Sequence, residues 1–258
     1  MLVVERYEKI VQLVNERGSI RVSELSEICG VTEETIRRDL DRLEGSGQLR
    51  RSHGGAVSVH SHSAPGRSQP ETPFFEREVA NAAEKQRIAE AAVKLIQPHQ
   101  KILLDASSTA WYVAQLIPDI PLTVLTNSMK AAAELGGKEK IEVISVGGIM
   151  AHHSLSFVGP LAERALDSYY VDLAFMSFKG VHLERGLSES NELQARVKHK
   201  MIGIAEKVVL LADSSKFGIL AFKQVADLKS VDTIITDERV QPESLQACKE
   251  LGITVIPV

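Results

Sequence analysis

The sequence predicts an α/β protein carrying a small helical head. Three short amphipathic helical patterns and a glycine-turned ribbon come first, and a polar stretch with almost nothing apolar follows. The remainder alternates β-rich runs with helical ones, the pattern of a mainly parallel sheet. A chain of 258 residues, 44% of them apolar, has room for such a small and a medium domain, each with a core.

In the head, Ile10, Val11, Leu13 and Val14 fall at helical spacing between Leu2 and Glu16, and Gly18 follows where a helix stop belongs. Ser23 is placed to cap a short helix bearing Leu25 and Ile28. Cys29-Gly30-Val31 supplies a tight turn, and Thr32 caps a third helix closed by Gly45 and Gly47. Gln48 to Arg51 and Ala56 to Val59, separated by His53-Gly54-Gly55, read as a two-stranded ribbon. Helix, turn, helix and ribbon make a winged helix-turn-helix over residues 1–59.

On the third helix Ile36, Leu40 and Leu43 stand at i, i+4 and i+7 and must face inward. At about 100° per residue, Glu34 and Arg38 then point away from them, flanked by Thr35, Arg37 and Arg42. Arginine reads guanine edges bidentately in the major groove, threonine contacts a thymine methyl or a phosphate, and glutamate accepts from a cytosine amino group. Thr32 at the helix start, with Arg50, Arg51 and His53 on the wing, completes the expected DNA surface, the wing serving the phosphate backbone. A lone arginine on such a face is ordinarily just solvated. The joint pattern is what implies DNA. A formal net charge of −4 does not oppose this, because the acidic residues crowd the first two helices and the basic ones cluster from Arg37 to His53.

Composition marks residues 60–74 as a linker. Beyond it, Phe75 to Gln97 reads as one long helix. Strands are expected at Lys101 to Leu104, Leu122 to Leu125, Ile141 to Ser145, Asp172 to Met176, Lys207 to Leu211, Thr233 to Ile235 and Thr254 to Ile256. Open parallel sheets bind ligands beyond the carboxyl ends of their strands. The residues there are small and polar: Asp105, Ser107, Ser108 and Thr109, then Asn127, Gly147-Gly148, Lys179 and Lys216. Hydroxyls and free N–H groups at a helix start can hold a phosphate, or simply cap the helix. The lysines suit an anion, Asp105 and Asn127 suit sugar hydroxyls, and the glycines allow close approach or make a turn.

The segment Val31-Thr32-Glu33-Glu34-Thr35-Ile36-Arg37-Arg38-Asp39-Leu40, followed by Leu49-Arg50-Arg51-Ser52-His53-Gly54-Gly55-Ala56, resembles the head signature of the DeoR family of bacterial repressors. The resemblance continues through Glu84-Lys85-Gln86-Arg87-Ile88-Ala89, Thr126-Asn127, Phe157-Val158-Gly159 and Asp213-Ser214-Ser215-Lys216-Phe217-Gly218. It implies a regulator, expected to be a repressor of a sugar-metabolism operon, that binds operator DNA as a homodimer or homotetramer. It also implies that residues 75–258 form a phosphorylated-sugar sensor similar to ribose-5-phosphate isomerase. Ser107 stands where many members carry glycine.

The alternative is an active sugar-phosphate isomerase with an accessory head, its rim expected to hold Asp105, Asp172 and Glu192, since isomerisation needs a base that is normally a carboxylate. Counting back from Asp213-Ser214-Ser215-Lys216, however, the position expected for the isomerase glutamate holds Lys198, which argues for binding without catalysis. No catalytic residue, metal or cofactor is expected. Cys29 and Cys248 are too far apart in sequence for a metal motif, His60, His62, His152 and His153 read as surface histidines, and nucleotide-binding and hydrolase signatures are missing. With no apolar run near the roughly 18 residues of a membrane span and no apolar stretch after Met1, a cytoplasmic protein is expected.

Overall fold

A computed structural model describes residues 3–17, 19–45, 48–52, 54–58 and 71–258. Gly18, Gly47, His53, Val59 and residues 60–70 of the expected linker lie outside the described residues. The chain forms two compact units, residues 1–67 and 68–258.

The first unit runs α1 (Val3–Arg17), β1 (Ser19–Arg21), α2 (Val22–Cys29), α3 (Glu33–Gly45), β2 (Leu49–Ser52) and β3 (Gly55–Ser58). Gly30 ends α2 in the left-handed region, at φ 66°, with its N–H returned to the Ser26 carbonyl. Thr32 Oγ1 accepts from the Thr35 N–H at 3.3 Å and so caps α3. Ser23 does not cap α2, which begins a residue earlier. β1 pairs with β3 and feeds straight into the helix, and the Val22 N–H is satisfied at 2.9 Å by the Gly54 carbonyl of the wing. The expected ribbon is thus the three-stranded sheet β1-β3-β2. Ile36, Leu40 and Leu43 are buried against Ile10, Val14 and Leu25. Within that layer the Asp39 carboxylate accepts from Arg6 Nε at 2.6 Å, a bond that raises the arginine's pKa.

The second unit runs α4 (Phe74–Val79), α5 (Ala82–Val93), β4 (Lys101–Leu104), α6 (Ser108–Leu116), β5 (Leu122–Thr126), α7 (Met129–Leu135), β6 (Ile141–Ser145), β7 (Ile149–Ala151), β8 (Ser156–Val158), α8 (Pro160–Leu166) and β9 (Val171–Met176). It continues through β10 (Gly180–His182), β11 (Gly186–Glu189), α9 (Glu192–Gly203), β12 (Ala205–Leu211), β13 (Lys223–Ala226), β14 (Thr233–Thr236), α10 (Pro242–Glu250) and β15 (Thr254–Pro257). Its main sheet has seven strands in the order β15-β14-β12-β9-β4-β5-β6. All are parallel. These are the seven strands the sequence predicts.

Alternate residues of the central strands enter opposite cores. Ile102, Leu104, Phe175, Val209 and Leu211 pack with α5, α6 and α7 on one face. Leu103, Ala174, Met176 and Leu210 pack with α8, α9 and α10 on the other. Burial on both faces is why these strands read as continuous apolar runs.

The single helix expected over Phe75 to Gln97 is two. Ala80 is extended, and Asn81 adopts φ 52°, ψ 39°, which asparagine tolerates better than most residues. Asn81 Nδ2 donates to Asp213 Oδ1 at 3.0 Å, so the break is held from far along the chain. Composition also places the linker's end too late. Asn191 donates to Glu71 at 2.7 Å and the Phe74 N–H to the His153 carbonyl at 2.6 Å, so the larger unit already includes residues 71–74. No described helix is long and apolar enough to cross a membrane.

Candidate DNA surface and ligand rim

The outer face of α3 follows from its buried stripe. The Arg38 side chain is 77% exposed, with Nε 3.4 Å from Glu34, and Arg37 donates to Glu33 at 2.9 Å. Arg42 donates to the Tyr7 hydroxyl at 3.3 Å, while Thr32 and Thr35 share a hydroxyl contact at 3.0 Å. Glu34, Thr35, Arg37 and Arg38 therefore lie on one accessible side, with Thr32 at its start and Arg42 further along. Arg51 braces the wing: its guanidinium bonds Asp41 and its N–H donates to Glu44 at 2.8 Å. Of Arg50 only the backbone, in β2, is described, and His53 lies outside the described residues.

In the larger unit the chain runs from β4 outward to β5 and β6, then returns to β9 on the other side of β4. The switch point is the gap beyond the carboxyl ends of β4 and β9, where ligands settle in open α/β sheets. There Asp105 is fully buried, and its oxygens accept from the Ser107 and Ser177 N–H groups, each at 3.0 Å. Lys198 Nζ stands 3.2 Å from Asp105 and 2.5 Å from Glu189, and also donates to the Ser177 carbonyl. Burial alone would lower the lysine's pKa, but the two carboxylates outweigh it and the net shift is upward. Asp105 thus ties the β4 and β9 loops together.

The Ser107 hydroxyl caps α6, accepting from the Ala110 N–H at 3.1 Å, and Ser108 Oγ donates to the Arg77 carbonyl at 3.2 Å. Capping accounts for Ser107. Asn127 is buried after β5, with Nδ2 donating to the Phe157 carbonyl at 3.1 Å. Its Oδ1 has no partner among the described residues. Lys179 reaches the Thr72 hydroxyl at 3.5 Å. Lys216 lies in the turn Ser214–Lys216 after β12, close enough to Lys85 to be felt electrostatically.

Lys85 was missed as a site residue. It is 4% exposed on α5 and donates to the Arg77 and Ala80 carbonyls. Burial, with Lys216 and Arg77 nearby, lowers its pKa to about 8 against the pull of Asp213 and Glu84. Its signal in the sequence is a lysine one turn before Ile88 and Ala89, on the helix's apolar stripe.

Three expectations need correction or sharpening. Asp172 is not on the rim: it opens β9 at the opposite end of the sheet, where Oδ2 accepts from the Lys101 N–H at 2.7 Å. Glu192 lies in the first turn of α9, 60% exposed and 3.9 Å from Lys223, so the three carboxylates of the enzyme alternative do not converge. Gly147 and Gly148 form a turn after β6, and the close approach at Gly148 is by the protein itself. A Cβ there would meet the Val158 carbonyl oxygen at 2.8 Å, at φ +120°. Gly148→Ala is expected to cost more than about 1 kcal/mol, read as a lowered midpoint in thermal unfolding.

Residues 6–62 match a family profile described as a DeoR-like helix-turn-helix domain, and residues 80–238 one described as the DeoR C terminal sensor domain. The chain belongs to the DeoR family. It is 52% identical, over 100% of its length and 98% of the relative's, to an uncharacterized HTH-type transcriptional regulator of Bacillus subtilis. It is 40% identical, over 97% of this chain and 98% of the relative, to the L-fucose operon activator of Haemophilus influenzae. A ribose 5-phosphate isomerase from Methanocaldococcus jannaschii superposes with TM-score 0.40 at 21% identity, covering 54% of this chain and 55% of that one. This DeoR-family chain is accordingly a DNA-binding transcriptional regulator and not an enzyme. Its α/β sensor domain is built on a parallel sheet.

Proposed function

We propose that this regulator represses a sugar-metabolism operon, gripping operator DNA through α3 and the wing as a homodimer or homotetramer and responding to a phosphorylated sugar at the sensor's switch point. Residues 1–59 act as the DNA head and the larger unit as sensor and assembly domain. The observation that carries the reading is the cationic, donor-rich rim. Lys179 and Lys216 follow the carboxyl ends of β9 and β12, with Lys85 close to Lys216, while the carboxylate of the β12 turn, Asp213, is occupied by Asn81 and Ser215. Such a rim suits a dianion, and Asn127 Oδ1 is free to accept from a sugar hydroxyl. Asp105, engaged on both oxygens, holds the loops in place. The fucose relative is named an activator, so the direction of control is settled by assay of this protein.

A ligand that binds only the folded state raises its melting temperature by mass action, so a thermal-shift screen of phosphorylated sugars identifies the effector. Lys216→Ala is then expected to weaken that effector by about 1.5–3 kcal/mol, roughly ten- to a hundredfold, by deleting a charge-assisted contact. Operator affinity without effector should stay near wild type. Titrating operator with and without ligand checks this, and a variant responding at the wild-type ligand concentration removes Lys216 from the site.

A further inference from the structure

The segment entering the larger unit lies across the candidate rim. α4 packs on α6: the Phe74 ring meets Trp111 edge-on at 6.0 Å between centroids, Tyr112 donates to the Glu78 carbonyl at 3.1 Å, and Ser108 to that of Arg77 at 3.2 Å. Arg77 projects its guanidinium back toward Thr72, where Nε donates to the carbonyl at 3.0 Å and the Phe74 ring lies 5.5 Å from Cζ. The hydroxyl of the same threonine accepts from Lys179 at 3.5 Å, so two cations meet at one residue. Arg77 Nη2 is buried and has no hydrogen-bond partner among the described residues, and no carboxylate there forms an ion pair with Arg77.

A buried guanidinium N–H without an acceptor is costly, and an anion beside it relieves that cost. The planar fork of arginine, here 5.5 Å from the Phe74 ring centroid, matches a phosphate better than a lysine does.

We propose that Arg77 of α4 is a direct ligand of the effector's phosphate group, clamping it together with Lys179. The proposal rests on the reading of the rim as the effector site and adds a residue from outside the strand ends. It also places effector binding on the stretch of chain that immediately follows residues 60–70.

The test uses the full chain and inorganic phosphate as probe, with sodium chloride at equal ionic strength as control. Binding is followed by calorimetry and by fluorescence of Trp111, the chain's one tryptophan, which touches α4 through Phe74. Wild type is expected to bind saturably, Arg77→Met about tenfold or more weakly, and Arg77→Lys, which keeps the charge and loses the fork, severalfold more weakly. If Arg77→Met fails to fold, Arg77→Lys carries the test. Wild-type affinity in the folded Arg77 variants, with Lys216→Ala impaired, overturns the proposal and leaves the rim reading standing. No saturable response in wild type overturns both.

Discussion

Lys198→Met is expected to lower the unfolding free energy of the sensor by about 3–5 kcal/mol, because it leaves Asp105 and Glu189 buried without their shared cation. Methionine keeps most of the volume, so the loss reports charge rather than a cavity. Urea unfolding followed by Trp111 fluorescence measures it, and adding Glu189→Gln should recover part of the loss. The raised pKa of Lys198 fixes the pH window: its stabilisation is complete below the unfolded lysine value of about 10.4 and is lost only as pH rises through the higher folded value. The effect of the substitution should therefore be flat across neutral pH. An unchanged urea midpoint would mean that the triad is not what binds the β4 and β9 loops.

Arg38→Ala is expected to remove operator selectivity. A bidentate arginine–guanine contact discriminates by about 1–3 kcal/mol, roughly five- to a hundred-and-fiftyfold, and Arg38 is more exposed than Arg37 on the α3 face. Arg51→Ala should instead weaken operator and unrelated DNA alike and lower the salt slope by about one, since a wing contact serves the backbone. Titrations against both DNAs at several salt concentrations separate the two. Unchanged operator preference in Arg38→Ala would take that residue out of recognition.

The main sheet was legible because its central strands are buried on both faces and so announce themselves as apolar runs. The inward stripe of α3 was equally plain. What failed depended on partners remote in sequence. The break at Asn81 is held by Asp213, 132 positions away, and periodicity sees only a continuous helix. The N-terminal cap of α2 went astray because the wing, not Ser23, supplies the first acceptor. The small sheet β10-β11-β13 escaped because its strands of three or four residues are too short to show an alternation. At the rim, strand ends located most of the polar residues, but Asp172 was assigned to the wrong end of its own strand. Arg77 and Lys85 come from helices that cross the rim, where no strand-end rule looks.

The ion triad at Lys198 also constrains which substitutions the pocket can accept. A glutamate placed at that position would crowd three carboxylates into one dry pocket, where like charges cannot all remain ionised. Neutralising Glu189 or Asp105 beforehand would strip the existing lysine of a partner. Each single substitution that alters the charge of one member thus passes through a less stable protein, and that instability works as a ratchet, holding the lysine and its two carboxylates in place together.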